Sequence, residues 1–227
     1  MRNARIPWLV NHSALSYANQ WFVTDREFMR KLQLPGSNDI DSAQLGKLAA
    51  KYMVARSFKK DDNTGAYDRR WTTAAAHLKQ ASLGTRSIND EVHALAGQLG
   101  KVAPKTGNSE QKLISAATKF LWFAGKHNVR ILDKRAVVAL GQLTSLRGLG
   151  TDYSTYATAW QEQFNAHQRE LEEAVSKLPA QLAWTCIDPK FHTEAKAVFQ
   201  EAWFTDRVFD KYLWTIGATE GSATSFI

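Results

Sequence analysis

Four polar residues lie three, one and three positions apart in the otherwise apolar segment 113–125: Ser115, Thr118, Lys119 and Trp122. In a helix these positions share one face, because residues three and four apart are neighbours on the helix surface. A lysine on such a narrow polar stripe predicts a polar crevice lined by buried helix. Burial and nearby positive charge favour a neutral amine, which can attack an electrophilic carbon and form a Schiff base. Lys119 is therefore the candidate nucleophile, and a snorkelling lysine is the structural alternative.

Asp133 precedes a Lys-Arg pair and then an apolar run, which is typical of a helix N-cap. Gly125 is expected to end the helix before it. A carboxylate held by backbone N–H groups at a helix N-terminus remains ionised and can stabilise a developing oxocarbenium ion or steer a proton. Asp133 is the second candidate catalytic residue, and a plain structural cap is the alternative.

The charge of the chain is concentrated in its middle. Residues 101–150 contain nine basic and two acidic residues, a net charge of +7, which equals the net charge of the whole 227-residue chain. Residues 151–227 contain six basic and eleven acidic residues, a net charge of −5. This asymmetry favours a polyanion-binding surface, because each neutralised phosphate releases counterions. A solvated basic face without a ligand is the alternative.

Composition narrows the protein class. A hydrophobic fraction of 44% excludes wholesale disorder, and the chain has no run of 18 apolar residues, so no membrane partner is expected. The single cysteine, Cys186, excludes an intramolecular disulfide and a cysteine-based metal cluster. The six histidines show no metal-binding spacing, so no metal and no cofactor are predicted. The first residues do not form a signal peptide, and we expect a cytoplasmic location.

The chain is predicted to be helical nearly throughout, because Ala, Leu, Gln, Lys and Glu dominate and alternating β-branched runs are absent. Pro- and Gly-containing segments divide the predicted helices. His167 lies on an apolar stripe of the clearest helix and is expected to be a core residue. The expected helices lie near residues 13–32, 42–57, 69–82, 88–99, 109–124, 134–145, 152–178 and 189–216.

Two neighbouring stretches carry a resemblance to a known family. Residues 115–125 read SAATKFLWFAG, and residues 129–137 read VRILDKRAV. Together they resemble the catalytic region of the helix-hairpin-helix DNA glycosylases, closest to small bacterial proteins with an 8-oxoguanine DNA glycosylase-like fold. The chain departs from that family in lacking the glycine-rich Leu-Pro-Gly-type turn before Lys119. The phosphate clamp that this turn provides is therefore either replaced, with Lys112 and Ser115 as the candidates, or missing.

The resemblance implies an all-α, compact two-lobed helical domain spanning residues 1–227, with a lobe boundary near residues 100–109. It further implies that double-stranded DNA and an extruded modified base are held between the lobes by a monomeric, nucleoid-associated enzyme. Lys119 would be the Schiff-base lysine and Asp133 the aspartate of the superfamily, with Trp122 bordering the base pocket. The basic residues expected to contact DNA are Lys112, Lys126, Arg130, Lys134, Arg135 and Arg147, with His127 as a further phosphate contact.

The implied activity is cleavage of the N-glycosidic bond of a modified or damaged base, with strand cleavage to follow if Lys119 forms an imine. An oxidised purine is the default substrate, and a modified pyrimidine of phage DNA is the other, so the biological role is base-excision repair or anti-phage defence. Two alternatives remain open from the residues alone: a non-catalytic basic helical DNA-binding module, and a helical interaction or toxin-type protein.

Overall fold

The computed structural model describes residues 5–33, 40–58, 67–82, 86–102 and 113–218. Within these ranges the chain is helical and contains no strand, which confirms the all-α prediction for this part of the protein. None of the helices in these ranges combines the length and the apolarity that crossing a membrane requires.

In chain order the α-helices are α1 (Arg5–Gln20), α2 (Arg26–Leu32), α3 (Ser42–Lys51), α4 (Tyr67–Ser82), α5 (Ile88–Val102), α6 (Ile114–Phe123), α7 (Lys134–Thr144), α8 (Tyr153–Lys177), α9 (His192–Val198) and α10 (Ala202–Ile216). A π-helical turn (Trp21–Asp25) joins α1 to α2, and 3₁₀ turns occupy Ala55–Ser57, Leu178–Trp184 and Pro189–Phe191.

The chain divides into two compact units. Unit 1 comprises residues 1–26 and 133–227, and unit 2 comprises residues 27–132. The lobe boundary expected near residues 100–109 falls largely outside the described residues.

Unit 1 is built around α10, which packs against α1, α7 and α8. The apolar stripe predicted for α8 is confirmed, since Tyr156, Trp160 and Leu171 are fully buried. His167 lies on this stripe, where its Nδ1 is 2.8 Å from the Gln163 carbonyl oxygen. His167 itself is half-buried and packs against the rings of Phe209 and Tyr212, so it lies at the edge of the core rather than within it as expected.

A buried charged cluster crosses the core of unit 1. Arg207 donates to Asp210 at 2.6 Å and lies 3.8 Å from Asp25, whose side chain is fully buried. The Trp160 indole N–H donates to the other Asp210 oxygen at 2.7 Å. Asp25 ends the π-helical turn, so this local widening of the helix places a carboxylate in the core. Charges buried in this way need partners, and the cluster supplies them.

Unit 2 stacks α3, α4, α5 and α6 in sequence, with α6 also touching α4. Helix α6 is the most deeply buried, because nine of its ten residues are in the core. Phe120 contacts the ring of Trp71 from α4, and Phe123 contacts Tyr52 after α3. The helix predicted to carry the chemistry is thus also the centre of the unit 2 core.

Three predicted helix boundaries are wrong. The helix expected over 42–57 ends at Lys51, because Met53 adopts a left-handed conformation with φ of 57°. The helix expected over 189–216 is interrupted after Val198, because Glu201 takes an extended conformation as the N-cap of α10. The first helix begins at Arg5 rather than near residue 13.

Candidate functional site

Lys119 is buried, with 2% of its surface exposed, although it carries an amine. Its Nζ donates to the Ser115 hydroxyl at 2.9 Å, one helical turn earlier in α6, and to the carbonyl oxygen of Leu132 at 3.2 Å. The predicted polar stripe therefore exists, but it faces the segment that follows α6 rather than open solvent. Ser115, which is also predicted to contact phosphate, is a hydrogen-bond partner of the candidate nucleophile.

Thr118 binds the same segment from the neighbouring position. Its hydroxyl accepts a hydrogen bond from the Leu132 backbone N–H at 3.1 Å and donates to the Ser115 carbonyl oxygen at 3.2 Å. Thr118 is fully buried. Together, Thr118 and Lys119 satisfy both backbone polar groups of Leu132, so the segment before Asp133 is tied to α6.

The two turns on either side of this segment follow the sequence prediction. Gly125 has a φ of +101° directly after α6, a conformation that favours glycine and ends the helix. Asp133 caps α7, accepting a hydrogen bond from the Arg135 backbone N–H at 3.0 Å, which confirms the predicted N-cap. Lys119 belongs to unit 2 and Asp133 to unit 1.

Trp122 and His127 form a ring pair in unit 2, with ring centroids 4.9 Å apart. Trp122 is 1% exposed, so its indole packs within the core of the unit. The His127 Nε2 is 2.9 Å from the side-chain nitrogen of Gln33. Burial lowers the pKa of His127, which favours the neutral ring near pH 7.

Lys126, predicted to contact DNA, pairs with an acidic side chain. Its Nζ lies 3.1 Å from Oε1 of Glu91, whose side chain is 1% exposed. A buried carboxylate needs a cationic or hydrogen-bonding partner, and Lys126 provides one for Glu91 in unit 2. Because of this ion pair, Lys126 is less available to bind a phosphate group.

The exposed cations of the basic segment lie at and beyond the start of α7. Lys134, Arg135 and Arg147 are exposed, and Arg130 is half-buried. The Arg135 guanidinium lies 3.9 Å from the ring centroid of Trp214, and the Lys211 Nζ lies 4.7 Å from the same ring. Because Trp214 is 41% exposed, unit 1 presents an aromatic ring flanked by two cations. Lys112 lies outside the described residues.

Sequence reasoning missed the partners that come from distant parts of the chain. Glu91 and Lys126 are 35 positions apart in the sequence, and Arg135 and Trp214 are still further apart. Neither contact can therefore be recognised from local spacing. The backbone carbonyl of Leu132 has no side-chain signature at all. No group of His, Cys, Asp or Glu suited to a metal ion occurs among the described residues.

Comparison with protein-family models, with curated proteins and with solved structures finds no match to this chain.

Proposed function

We propose that the protein is a DNA glycosylase that extrudes a modified or damaged base and cleaves its N-glycosidic bond, with Lys119 as the nucleophile. The observation that carries the proposal is the placement of the Lys119 amine, 2% exposed and held by the Ser115 hydroxyl and the Leu132 carbonyl oxygen. Removal of an amine from water favours its neutral, nucleophilic form. A neutral amine can make both hydrogen bonds with its two N–H groups.

In the proposed reaction the lone pair of Nζ attacks C1′ of the extruded nucleotide. The bond from C1′ to the base breaks, and its electron pair leaves with the base, which takes up one proton from the nitrogen. The nitrogen lone pair then forms the C=N bond as the C1′–O4′ bond breaks, its electron pair stays on O4′, and O4′ takes up the second nitrogen proton, which leaves an imine between Lys119 and the sugar. Elimination of the 3′ phosphate from this imine would cleave the strand, giving lyase activity.

Asp133 is proposed to stabilise positive charge on the sugar as the base departs. Its carboxylate is fixed by the N-cap hydrogen bond from Arg135, so little reorganisation is needed during the reaction. If Lys119 only shapes the pocket, Asp133 would guide a water molecule and leave an abasic site. The exposed cations Lys134, Arg135 and Arg147 are proposed to bind the DNA backbone beside the extruded base.

Borohydride trapping tests the proposal directly, because the reagent reduces an imine to a stable amine. Wild type is incubated with duplexes that carry oxidised purines, other damaged bases or modified cytosines of phage DNA, which separates repair from defence. We expect a covalent complex on one substrate class, and we expect Lys119→Met to abolish it. Lys190→Met is the control, since it removes an exposed lysine outside the basic segment and should still be trapped.

Two results would contradict the proposal: a covalent complex that persists in Lys119→Met, or neither a covalent complex nor alkali-labile sites on any duplex. Alkali-labile sites without a covalent complex would support glycosylase activity but would show that Lys119 is not the nucleophile and has a supporting role. Thermal melting of each variant separates loss of chemistry from loss of the fold.

A second candidate is a non-catalytic basic helical DNA-binding module. The observation in its favour is that Lys119 and Thr118 together satisfy the backbone of Leu132, which is a structural role for the lysine. This candidate predicts that Lys119→Met, if folded, binds DNA with nearly unchanged affinity and that no base is released by either protein.

A further inference from the structure

An exposed tryptophan of unit 1 carries two cations that come from different helices. The Arg135 guanidinium, at the start of α7, lies 3.9 Å from the ring centroid of Trp214, and the Lys211 Nζ of α10 lies 4.7 Å from the same ring. The two cationic groups are therefore no further apart than the sum of these distances. A single phosphate bridges a comparable gap, because two charge-assisted hydrogen bonds of about 2.8 Å and the phosphate between them span about 8 Å.

Neither of these cations pairs with a carboxylate in the part of the chain that the structure describes. The Lys211 ammonium donates to Oε1 of Gln20 at 3.3 Å, and this acceptor is neutral. An arginine over an aromatic ring still presents the N–H groups at the edge of its planar guanidinium. Because Arg135 is exposed and Lys211 is half-buried, a ligand from solvent can contact both.

Two other cations of unit 1 also lie over an aromatic ring, and each of them has an acidic partner. Arg26 lies 4.3 Å from the ring centroid of Phe191 and donates two hydrogen bonds of 2.7 Å to Glu194. Lys190 lies 5.1 Å from the centroid of the same ring and pairs with Asp188 at 3.1 Å. The place that a carboxylate takes beside these cations is thus left to an external anion at the tryptophan.

The charges around Lys211 also favour an anion. Burial lowers the pKa of Lys211, the positive charges of Arg207 and Arg135 lower it further, and the negative charge of Asp25 opposes them. The protonated form of Lys211 is therefore less stable here than in water. A negative charge bound beside the ammonium would stabilise that form, and the protein would gain binding free energy from the interaction.

We propose that Arg135 and Lys211 bind one phosphate group and that Trp214 positions both cations for it. The arginine fork donates to phosphate oxygens in a fixed geometry and the lysine adds a point charge, so the pair suits this ligand. The phosphate can belong to a nucleic-acid strand or to a free phosphorylated molecule. The site adds Lys211 and Trp214, from the acidic last third of the chain, to the DNA contact proposed for Arg135. Only the strand as the source of the phosphate rests on the proposed function.

Nuclear magnetic resonance of the indole N–H groups tests the site in the intact protein. The Trp214 signal is identified by its absence from the spectrum of Trp214→Phe. Inorganic phosphate and a short DNA duplex are titrated separately into wild type at constant pH and ionic strength. We expect a saturable shift of the Trp214 signal with at least one of them, and no saturable shift with either would overturn the proposal.

The two titrations distinguish the sources of the phosphate. A shift with the duplex supports a strand phosphate as the ligand, whether or not inorganic phosphate also binds. A shift with inorganic phosphate alone supports the site with a free phosphorylated molecule as its ligand, and it contradicts the DNA contact proposed for Arg135. Neither result depends on Lys119, so a negative borohydride experiment would leave this site untouched.

Lys211→Met and Arg135→Met each remove one cation and should weaken binding by about tenfold or more, the effect of losing one hydrogen bond to a charged group. Lys190→Met is the matched control, because it also removes a lysine that lies over an aromatic ring, and it should keep the wild-type affinity. Wild-type affinity in either folded cation variant, or an equal loss in Lys190→Met, would overturn the proposal. Arg135 is exposed, so Arg135→Met keeps the test decisive even if Lys211→Met fails to fold.

The positioning role of Trp214 is tested by calorimetry with the same ligands. Trp214→Leu removes the aromatic ring and should weaken binding, because neither cation is then held by it. Trp214→Phe keeps an aromatic ring and should restore most of the affinity. Wild-type affinity in Trp214→Leu, or an equal loss in both variants, would overturn this role.

Discussion

His127 illustrates at the residue scale how a neighbouring ring changes the behaviour of a titratable group. The imidazole packs against Trp122 and lies 2.9 Å from the Gln33 side chain, in a half-buried position. Burial disfavours the charged ring and lowers the pKa of His127. A neutral imidazole binds phosphate less strongly than an imidazolium, so the expected phosphate contact is weakened by the environment of the ring.

This lowered pKa predicts a pH dependence of stability. The unfolded chain, with an ordinary histidine pKa of about 6.5, binds the proton more tightly than the folded chain. The contribution of His127 is therefore complete above about pH 6.5 and is lost as the pH falls through its lowered folded-state pKa. Urea unfolding between about pH 8 and pH 5 should show a smaller loss of unfolding free energy in His127→Gln than in wild type. Identical pH profiles for the two proteins would contradict the assignment.

At the element scale, the close contact between the end of α10 and the start of α7 requires a glycine. Gly217 follows α10, and a methyl group added there would collide with the backbone carbonyl oxygen of Arg135, close to the start of α7. Because the obstacle is backbone, no side-chain rotation relieves it. This close approach holds together the two elements that carry Asp133, Arg135 and Trp214.

Two glycine substitutions therefore have opposite effects. Gly217→Ala should destabilise the protein by about 1–3 kcal/mol, since overpacking forces α7 and α10 apart. Gly97→Ala is the matched control within α5, where an added Cβ meets nothing within 4 Å. Because alanine is the better helix former, Gly97→Ala should stabilise by about 0.5–1 kcal/mol. Equilibrium unfolding measures both, and equal shifts in the two variants would refute the packing argument.

At the scale of the whole molecule, the basic residues of segment 101–150 fall into two groups: some are buried or paired with an acidic side chain, and others are exposed to solvent. Lys119 is buried and Lys126 pairs with Glu91, so neither contributes a fully solvent-exposed charge. Lys134, Arg135 and Arg147 remain exposed. The surface available to a polyanion is therefore smaller than the net charge of +7 for residues 101–150 suggests.

The salt dependence of the proposed DNA binding distinguishes these roles. The slope of log affinity against log salt concentration changes by about 0.9 for each phosphate contact in duplex DNA. Lys134→Met combined with Arg147→Met should reduce the slope by about 1.8 if each residue makes one contact. Lys190→Met is the control, an exposed lysine in the acidic last third of the chain, and it should leave the slope unchanged. Equal slopes in wild type and in the double variant would exclude these two cations from the DNA interface.

The features that depend on local spacing could be predicted from the sequence alone. The helical class, the stop at Gly125, the N-cap at Asp133 and the apolar stripe of α8 all follow from propensity, capping chemistry and the 3.6-residue period. These interactions join residues within one or two helical turns, so the pattern of residue types is sufficient to predict them. The polar stripe that contains Lys119 was predicted for the same reason.

The contacts that these side chains make depend on the tertiary structure. The acceptors of the Lys119 amine include a backbone carbonyl 13 positions away, and the partner of Lys126 lies 35 positions earlier in the chain. The breaks at Met53 and at Glu201 were not predicted either, since neither residue type signals the end of a helix. Contacts between distant residues depend on how the helices pack against one another, and that packing is a property of the whole sequence rather than of any short segment.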